Sequence, residues 1–262
     1  MDEVSIRFLD GESDINTLTR LYDTVIAPSF VTAEREPVER LRRVLAADEL
    51  RGAIAVTPDG EPVGALFLEW FADIRAALLC YFAVRPDLRG QGIGHRLVAG
   101  ATPRWRAELR PHVVFAEAGD PAFPDDSAGG DGDTAGGGDS AGDDGYATGG
   151  DGDSADGDDY GDGDARLRLY AGFGARRLPL PYLMPELAPG AGRLSNLLLL
   201  VVEADPAVSP APDLIRSAIV EDFLTRYFAR QEGGPVRDDD GELGRLLAEC
   251  RRADALPLLT IG

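Results

Sequence analysis

Between Tyr81 and Val98 the chain reads Tyr-Phe-Ala-Val-Arg-Pro-Asp-Leu-Arg-Gly-Gln-Gly-Ile-Gly-His-Arg-Leu-Val, with three alternating glycines at Gly90, Gly92 and Gly94. The apolar run ends at Val84, a proline turn follows, and Ile93, Leu97, Ala101 and Trp105 then recur at helical spacing. Strand, tight loop and helix N-terminus in that order make an anion site. Unpaired N–H groups and the positive end of the helix dipole attract phosphate, and glycines let it approach the backbone.

What the loop lacks narrows the anion. A Walker loop requires a lysine before Ser or Thr, and the chain contains no lysine. The dinucleotide fingerprint requires a third glycine three places after the second; after Gly90 and Gly92 that place is His95. What remains, Arg89-Gly90-Gln91-Gly92-Ile93-Gly94, resembles the Arg/Gln-x-x-Gly-x-Gly/Ala motif of the GNAT superfamily, the acyl-CoA-dependent N-acyltransferases. The resemblance extends to the preceding Val-Arg-Pro-Asp-Leu. It implies that the amides from Arg89 through Gly90, Gln91, Gly92, Ile93 and Gly94 to His95 hold the pyrophosphate of acetyl-CoA. The strand from about Ala77, ending in Phe82, Ala83 and Val84, would carry the pantetheine arm, and one of its backbone N–H groups would polarise the thioester carbonyl. The alternative for the loop is a glycine-rich turn without a ligand.

The elements around the loop follow from periodicity. Val4 to Leu9 alternates as a strand, Asp14 is placed to cap a helix carrying Ile15, Leu18, Tyr22, Val25 and Ile26, and Pro37 opens a second helix to Ala47. Strands are expected at Gly52 to Val56, Pro62 to Phe71 and Ile74 to Val84, with a turn at Pro58-Asp59-Gly60. Pro103 should kink or restart the helix opened by Gly92. Val113 to Ala118 should be a strand parallel to the one before the loop, since a helix joins them. After Ala165 come a short helix with Leu167, Leu169, Tyr170 and Phe173, and strands at Arg177 to Leu183 and Leu194 to Val202. The order matches the α/β (α+β) GNAT fold, which implies a central, mixed, mostly antiparallel sheet with splayed central strands flanked by helices.

The segment Arg166 to Ala175 resembles the family's later motif, a tyrosine four residues before a Gly-Phe pair, with Gly174 as the glycine and Ala175 in place of the phenylalanine. By that pattern Tyr170 is the general acid that protonates the departing thiolate; the structural alternative is an aromatic on the inner face of a helix. Pro181-Tyr182-Leu183-Met184-Pro185 is also similar to a bacterial GNAT group of unassigned substrate. For the base, Glu117 near the end of its strand is the first candidate. The same carboxylate could equally bind a cationic substrate or bond to backbone. Glu69 is the second candidate. His95 contributes its amide, His112 reads as a surface residue, and Cys80 reads as a buried thiol rather than a nucleophile.

Composition bounds the rest. The 262 residues carry a net charge of −20, but Gly119 to Asp164 alone holds 15 aspartates, no glutamate and no arginine, which leaves −5 for the remainder. A body of this charge disfavours nucleic acid as a partner. With no long apolar run and an acidic start, neither a membrane span nor a signal peptide is expected, and a cytoplasmic location follows. From Asp120 to Asp164 the chain is almost all Gly, Asp, Ser and Ala, too poor in aliphatic side chains to offset the entropy of ordering, and it should be disordered. Its Asp-Gly-Asp repeats miss the EF-hand spacing, and no metal site is expected. Deleting residues 125–161 should therefore leave the melting temperature within a few degrees of the parent, as differential scanning calorimetry would show.

Residues 1–204, interrupted by 120–164, then form an N-acetyltransferase domain, and 205–262 form a helical extension with Leu214, Ile215, Ile219, Phe223, Leu224, Tyr227 and Phe228 in one stripe. That extension would pack on the sheet or on a second subunit. The implied reaction transfers acetyl from acetyl-CoA to a primary amine, on a small molecule or peptide, by direct attack. The alternative is a non-catalytic acyl-CoA-binding or interaction module. A homodimer is a family-level expectation.

Overall fold

The structure, a computed structural model, describes residues 4–9, 11–123, 163–237 and 239–261. Most of the acidic stretch, on which the expectation of disorder falls, lies outside the described residues. Among the described residues the main sheet has eight strands in the order β1 (Ser5–Phe8), β2 (Leu50–Val56), β3 (Pro62–Phe71), β4 (Ala76–Val84), β5 (Val113–Gly119), β7 (Leu197–Ala204), β6 (Arg176–Arg177) and β10 (Leu259–Thr260). All neighbours run antiparallel except β4 and β5. The helices are α1 (Ile15–Leu21), α2 (Val38–Ala46), α3 (Ile93–Leu109), α4 (Gly163–Gly172), α5 (Ser217–Gln231) and α6 (Gly241–Cys250). A separate pair, β8 (Leu214–Arg216) with β9 (Ala255–Pro257), ties the two ends of the C-terminal segment together.

Helices cover both faces of the sheet. On one, α3 buries Ile93, Leu97, Ala101 and Trp105 against Leu66, Leu68, Phe82 and Val84, each large side chain contributing roughly 1.5–3 kcal/mol. The fit is close at Gly64, where an added Cβ would come within 3.0 Å of Leu97 and 3.3 Å of Ile93. On the other face, α1 and α2 cover Ile54, Phe67 and Tyr81, while α5 and α6 cover Phe71, Leu78 and Phe115. The α5 contact is aromatic: Phe223 stacks on Phe115 at 4.3 Å and on Tyr227 at 5.4 Å between ring centroids.

Several local expectations give way. Pro103 lies inside an uninterrupted α3, so the helix does not restart there. A proline there costs about 3 kcal/mol, but Ala101 and Trp105 on either side of it are buried on the sheet and hold the helix through it. Asp14 makes no side-chain cap; its carboxylate instead meets Arg7 at 3.1 Å. The expected strand from Arg177 to Leu183 shrinks to two residues, because Pro179 and Pro181 remove the donors a ladder needs. Leu214 and Ile215 fall in a strand, and the helix begins only at Ser217. No helix among the described residues is long and apolar enough to cross a membrane.

Candidate active site

The glycine loop ends in two left-handed residues, Gly90 at φ 72° and Gly92 at φ 71°. Gly92 is the N-cap of α3, and the first turn bond runs from the Arg96 N–H to the Gly92 carbonyl at 3.2 Å. Helix geometry leaves the N–H groups of Ile93, Gly94 and His95 without intrahelical acceptors. A Cβ placed on Gly92 would meet no protein atom within 4 Å, so the space over the loop is open and fits an approaching diphosphate. Arg89 has a bracing geometry: its Nε donates to the Val84 carbonyl at 3.2 Å, its Nη2 to Ser29 at 3.2 Å, and its amide to Pro86 at 3.5 Å. Its side chain therefore fastens the loop to the end of β4. The His95 ring is exposed and lies edge-on to Phe173.

β4 and β5 pair in parallel only from Ala76 with Val113 to Leu79 with Ala116, and beyond that point they diverge. The divergence begins at a bulge, for Leu68 pairs with Leu79 and Phe67 with Tyr81, leaving Cys80 as the extra residue. Beyond Leu79 the edge of β4 that faces β5 has no ladder partner among the described residues, so its main chain is open to an extended ligand.

Two cavities meet in this gap. One, of about 380 Å³, lies under α3 and is walled by Leu66, Leu68, Val98, Trp105 and Phe173. The other, of about 30 Å³, lies on the opposite side, with Glu34, Glu36, Glu117 and Arg166 in its wall. Leu79, Phe82 and Tyr170 line both. A third cavity, of about 850 Å³, sits between the 186–193 segment and α5–α6 and touches neither Glu117 nor Tyr170. Volume alone does not make it the reaction centre.

Tyr170 occupies the last turn of α4, which Gly174 closes at φ 82° while the Ala175 N–H bonds back to the Tyr170 carbonyl at 3.0 Å. The motif spacing thus places the phenol between the two cavities. Burial pushes its hydroxyl up to about 12, against a lowering by Arg166, so it stays protonated at neutral pH. Glu117 follows Ala116, the last residue of β5 that pairs with β4, and itself pairs with Leu199 of β7. Tyr182 donates to its Oε1, and the Tyr227 hydroxyl donates to Oε2 at 3.2 Å. Burial raises this carboxyl to about 7; the two tyrosines oppose the rise, and Glu34 and Glu69 add to it.

The wall opposite Glu117 is built from long-range bonds. The Tyr81 hydroxyl accepts from the Glu36 N–H at 2.8 Å and reaches the Glu34 carbonyl at 3.4 Å, and the Tyr22 hydroxyl donates to the Glu36 carbonyl at 3.0 Å. This holds the segment carrying Glu34 and Glu36 against β4. Glu36, Arg40 and Glu69 are buried together, with Arg40 donating to both carboxylates and Gln231 donating to Glu36 at 3.2 Å. Glu69 is therefore committed to Arg40 and lines neither cavity of the gap, which removes it as a candidate base. Burial drives the Cys80 thiol well above its ordinary value. His112 lies at the start of β5, 3.3 Å from Asp205 and away from the gap.

A loop of amides at a helix start, an open strand edge and a gap lined by a tyrosine and a carboxylate are the arrangement the resemblance to the GNAT acyltransferases implies. Residues 18–119 match the acetyltransferase (GNAT) family. No curated protein matches the sequence. Among solved structures the chain is similar to a GNAT-family protein from Bacteroides thetaiotaomicron, at 18% identity and TM-score 0.48 over 77% of this chain and 89% of that one. It is similar to a GNAT-family protein from Desulfovibrio desulfuricans at 16% identity and TM-score 0.44, over 77% and 100%. It is also similar to a mutant of the spermidine N-acetyltransferase SpeG from Vibrio cholerae, at 13% identity and TM-score 0.43 over 75% and 93%. Likeness at this level says nothing of substrate.

Proposed function

We propose that the chain transfers an acetyl group from acetyl-CoA to the primary amine of a cationic acceptor by direct attack in a ternary complex. The observation that carries this reading is the pair of cavities joined at Leu79, Phe82 and Tyr170 across the β4–β5 gap. Bound acetyl-CoA would supply the activated acyl group. The amides of Gly90 to His95 would hold its diphosphate, the edge of β4 through Phe82, Ala83 and Val84 would align its arm, and the 380 Å³ cavity has the size of a ligand site. The acceptor amine would lie on the other side, where Glu34, Glu36, Glu117 and Arg166 line the wall.

An amine attacks only when neutral, and its ordinary value near about 10.4 leaves it protonated at pH 7. Glu117 removes that proton; ionised above about 7, it gives a rate that rises with pH through that value. Tyr170 returns a proton to the departing thiolate. In this reading residues 1–204, interrupted at 120–164, form the transferase domain and 205–262 an extension that completes the acceptor side.

Tyr170→Phe should leave the acetyl-CoA Kd within about twofold and lower kcat by about 10²–10⁴-fold, read as free thiol released with a panel of small amines, amino acids, aminoglycosides and peptide N-termini. If the wild-type chain binds acetyl-CoA and acetylates no member of that panel, the site is a binding module instead.

A further inference from the structure

We propose that Tyr227, carried by α5 of the C-terminal extension, is together with Tyr182 a positioning residue for Glu117, so that residues beyond 205 form part of the acyl-transfer machinery. This rests on the reading of Glu117 as the base.

Each oxygen of the carboxylate takes one phenol: Tyr182 on Oε1, Tyr227 on Oε2 at 3.2 Å. Two donors on two oxygens leave the group no free rotation about its last bond, so its remaining lone pairs keep a fixed aim into the cavity. Tyr227 is itself held. Its ring stacks on Phe223, which stacks on Phe115, and Phe115 lies two residues before Glu117 on the same face of β5. The extension therefore packs against the strand that bears the base and reaches past it to the carboxylate, from 110 residues away in sequence.

Other groups face the site from the surrounding elements: Glu34 and Glu36 from the segment before α2, Cys80 from β4, and Arg166 and Tyr170 from α4, while Glu69 on β3 acts on it only through its charge. None of these donates a hydrogen bond to Glu117 among the described residues. The two tyrosines are thus what favours its ionised form against burial.

The test is a pH titration of the carboxyl carbon of Glu117 in ¹³C-glutamate-labelled protein, its resonance assigned by loss in Glu117→Gln. The wild-type midpoint should fall near about 7. Tyr227→Phe keeps the stacked ring and should move the midpoint up by about one unit, as expected for loss of a donor to the ionised form. Tyr182→Phe should do the same and carries the test should the first variant not fold. The acid limb of kcat/KM, measured with the amine acetylated fastest in the panel above, should shift equally. Activity lost at pH 6.5 should return at pH 9. A purely structural tyrosine would instead lower activity by one factor at every pH with the midpoint unmoved.

Coincident midpoints for wild type and both variants, with Glu117→Gln inactive, would overturn the positioning role alone. Wild-type turnover by Glu117→Gln would overturn the reading of Glu117 as the base, and the proposal with it.

Discussion

Gly92→Val is expected to raise the Kd for acetyl-CoA by about two orders of magnitude, close to 2.8 kcal/mol, in isothermal titration calorimetry. Two effects combine. A β-branched residue at φ 71° is strained in the left-handed region and will pull the loop out of shape. Its side chain would also stand in the open space over the loop, where a diphosphate would approach the Ile93, Gly94 and His95 amides. Gly60→Val is the matched control: Gly60 has φ 87° and equally open surroundings, but it sits in the β2–β3 turn. It should lose stability and keep affinity. Unchanged affinity in Gly92→Val would remove the loop from the ligand site.

Arg40→Met should destabilise the fold by about 3–5 kcal/mol, because it removes the buried guanidinium that Glu36 and Glu69 share. For a domain of this size the melting temperature should fall by roughly 10 °C. The loss should shrink as pH falls and Glu36 becomes neutral. The wild-type chain has a related sensitivity. Burial first, and the charge of Glu69 second, raise Glu36 to about 8. A folded value above the unfolded one means stability that is present at low pH and lost as pH rises through about 8. Thermal melts between pH 5 and 9 would show the wild type weakening toward the alkaline end, and Glu36→Gln should flatten that slope.

Local signals made much of this fold legible. Glycine spacing marked the N-terminus of α3, the 3.6-residue stripe of Ile93, Leu97, Ala101 and Trp105 marked its buried face, and one intervening helix implied parallel β4 and β5. Tyr170 was locatable because Gly174 stops its helix at a fixed distance. What escaped depends on contacts between distant residues. Glu36 and Arg40 have the i,i+4 spacing of an ordinary surface pair, and only the tertiary fold buries them beside Glu69. Tyr227 sits in an apolar stripe where a ring predicts packing, and nothing in that periodicity says that its hydroxyl ends on Glu117. The sole textual hint was its phenol, for a tyrosine in a buried stripe usually needs a partner.

The extra residue at Cys80 changes the phase of β4. Ahead of it the odd-numbered Ala77 and Leu79 look toward α3; past it the even-numbered Phe82 and Val84 do, while Tyr81 and Ala83 turn to α1 and α2. Excising that one residue would exchange Tyr81 with Phe82, withdrawing the anchor of Glu34 and Glu36 and thrusting a phenol under α3. A homologue aligned across this point without a gap, if it lacks the bulge, would have its donor and acceptor sides transposed on paper.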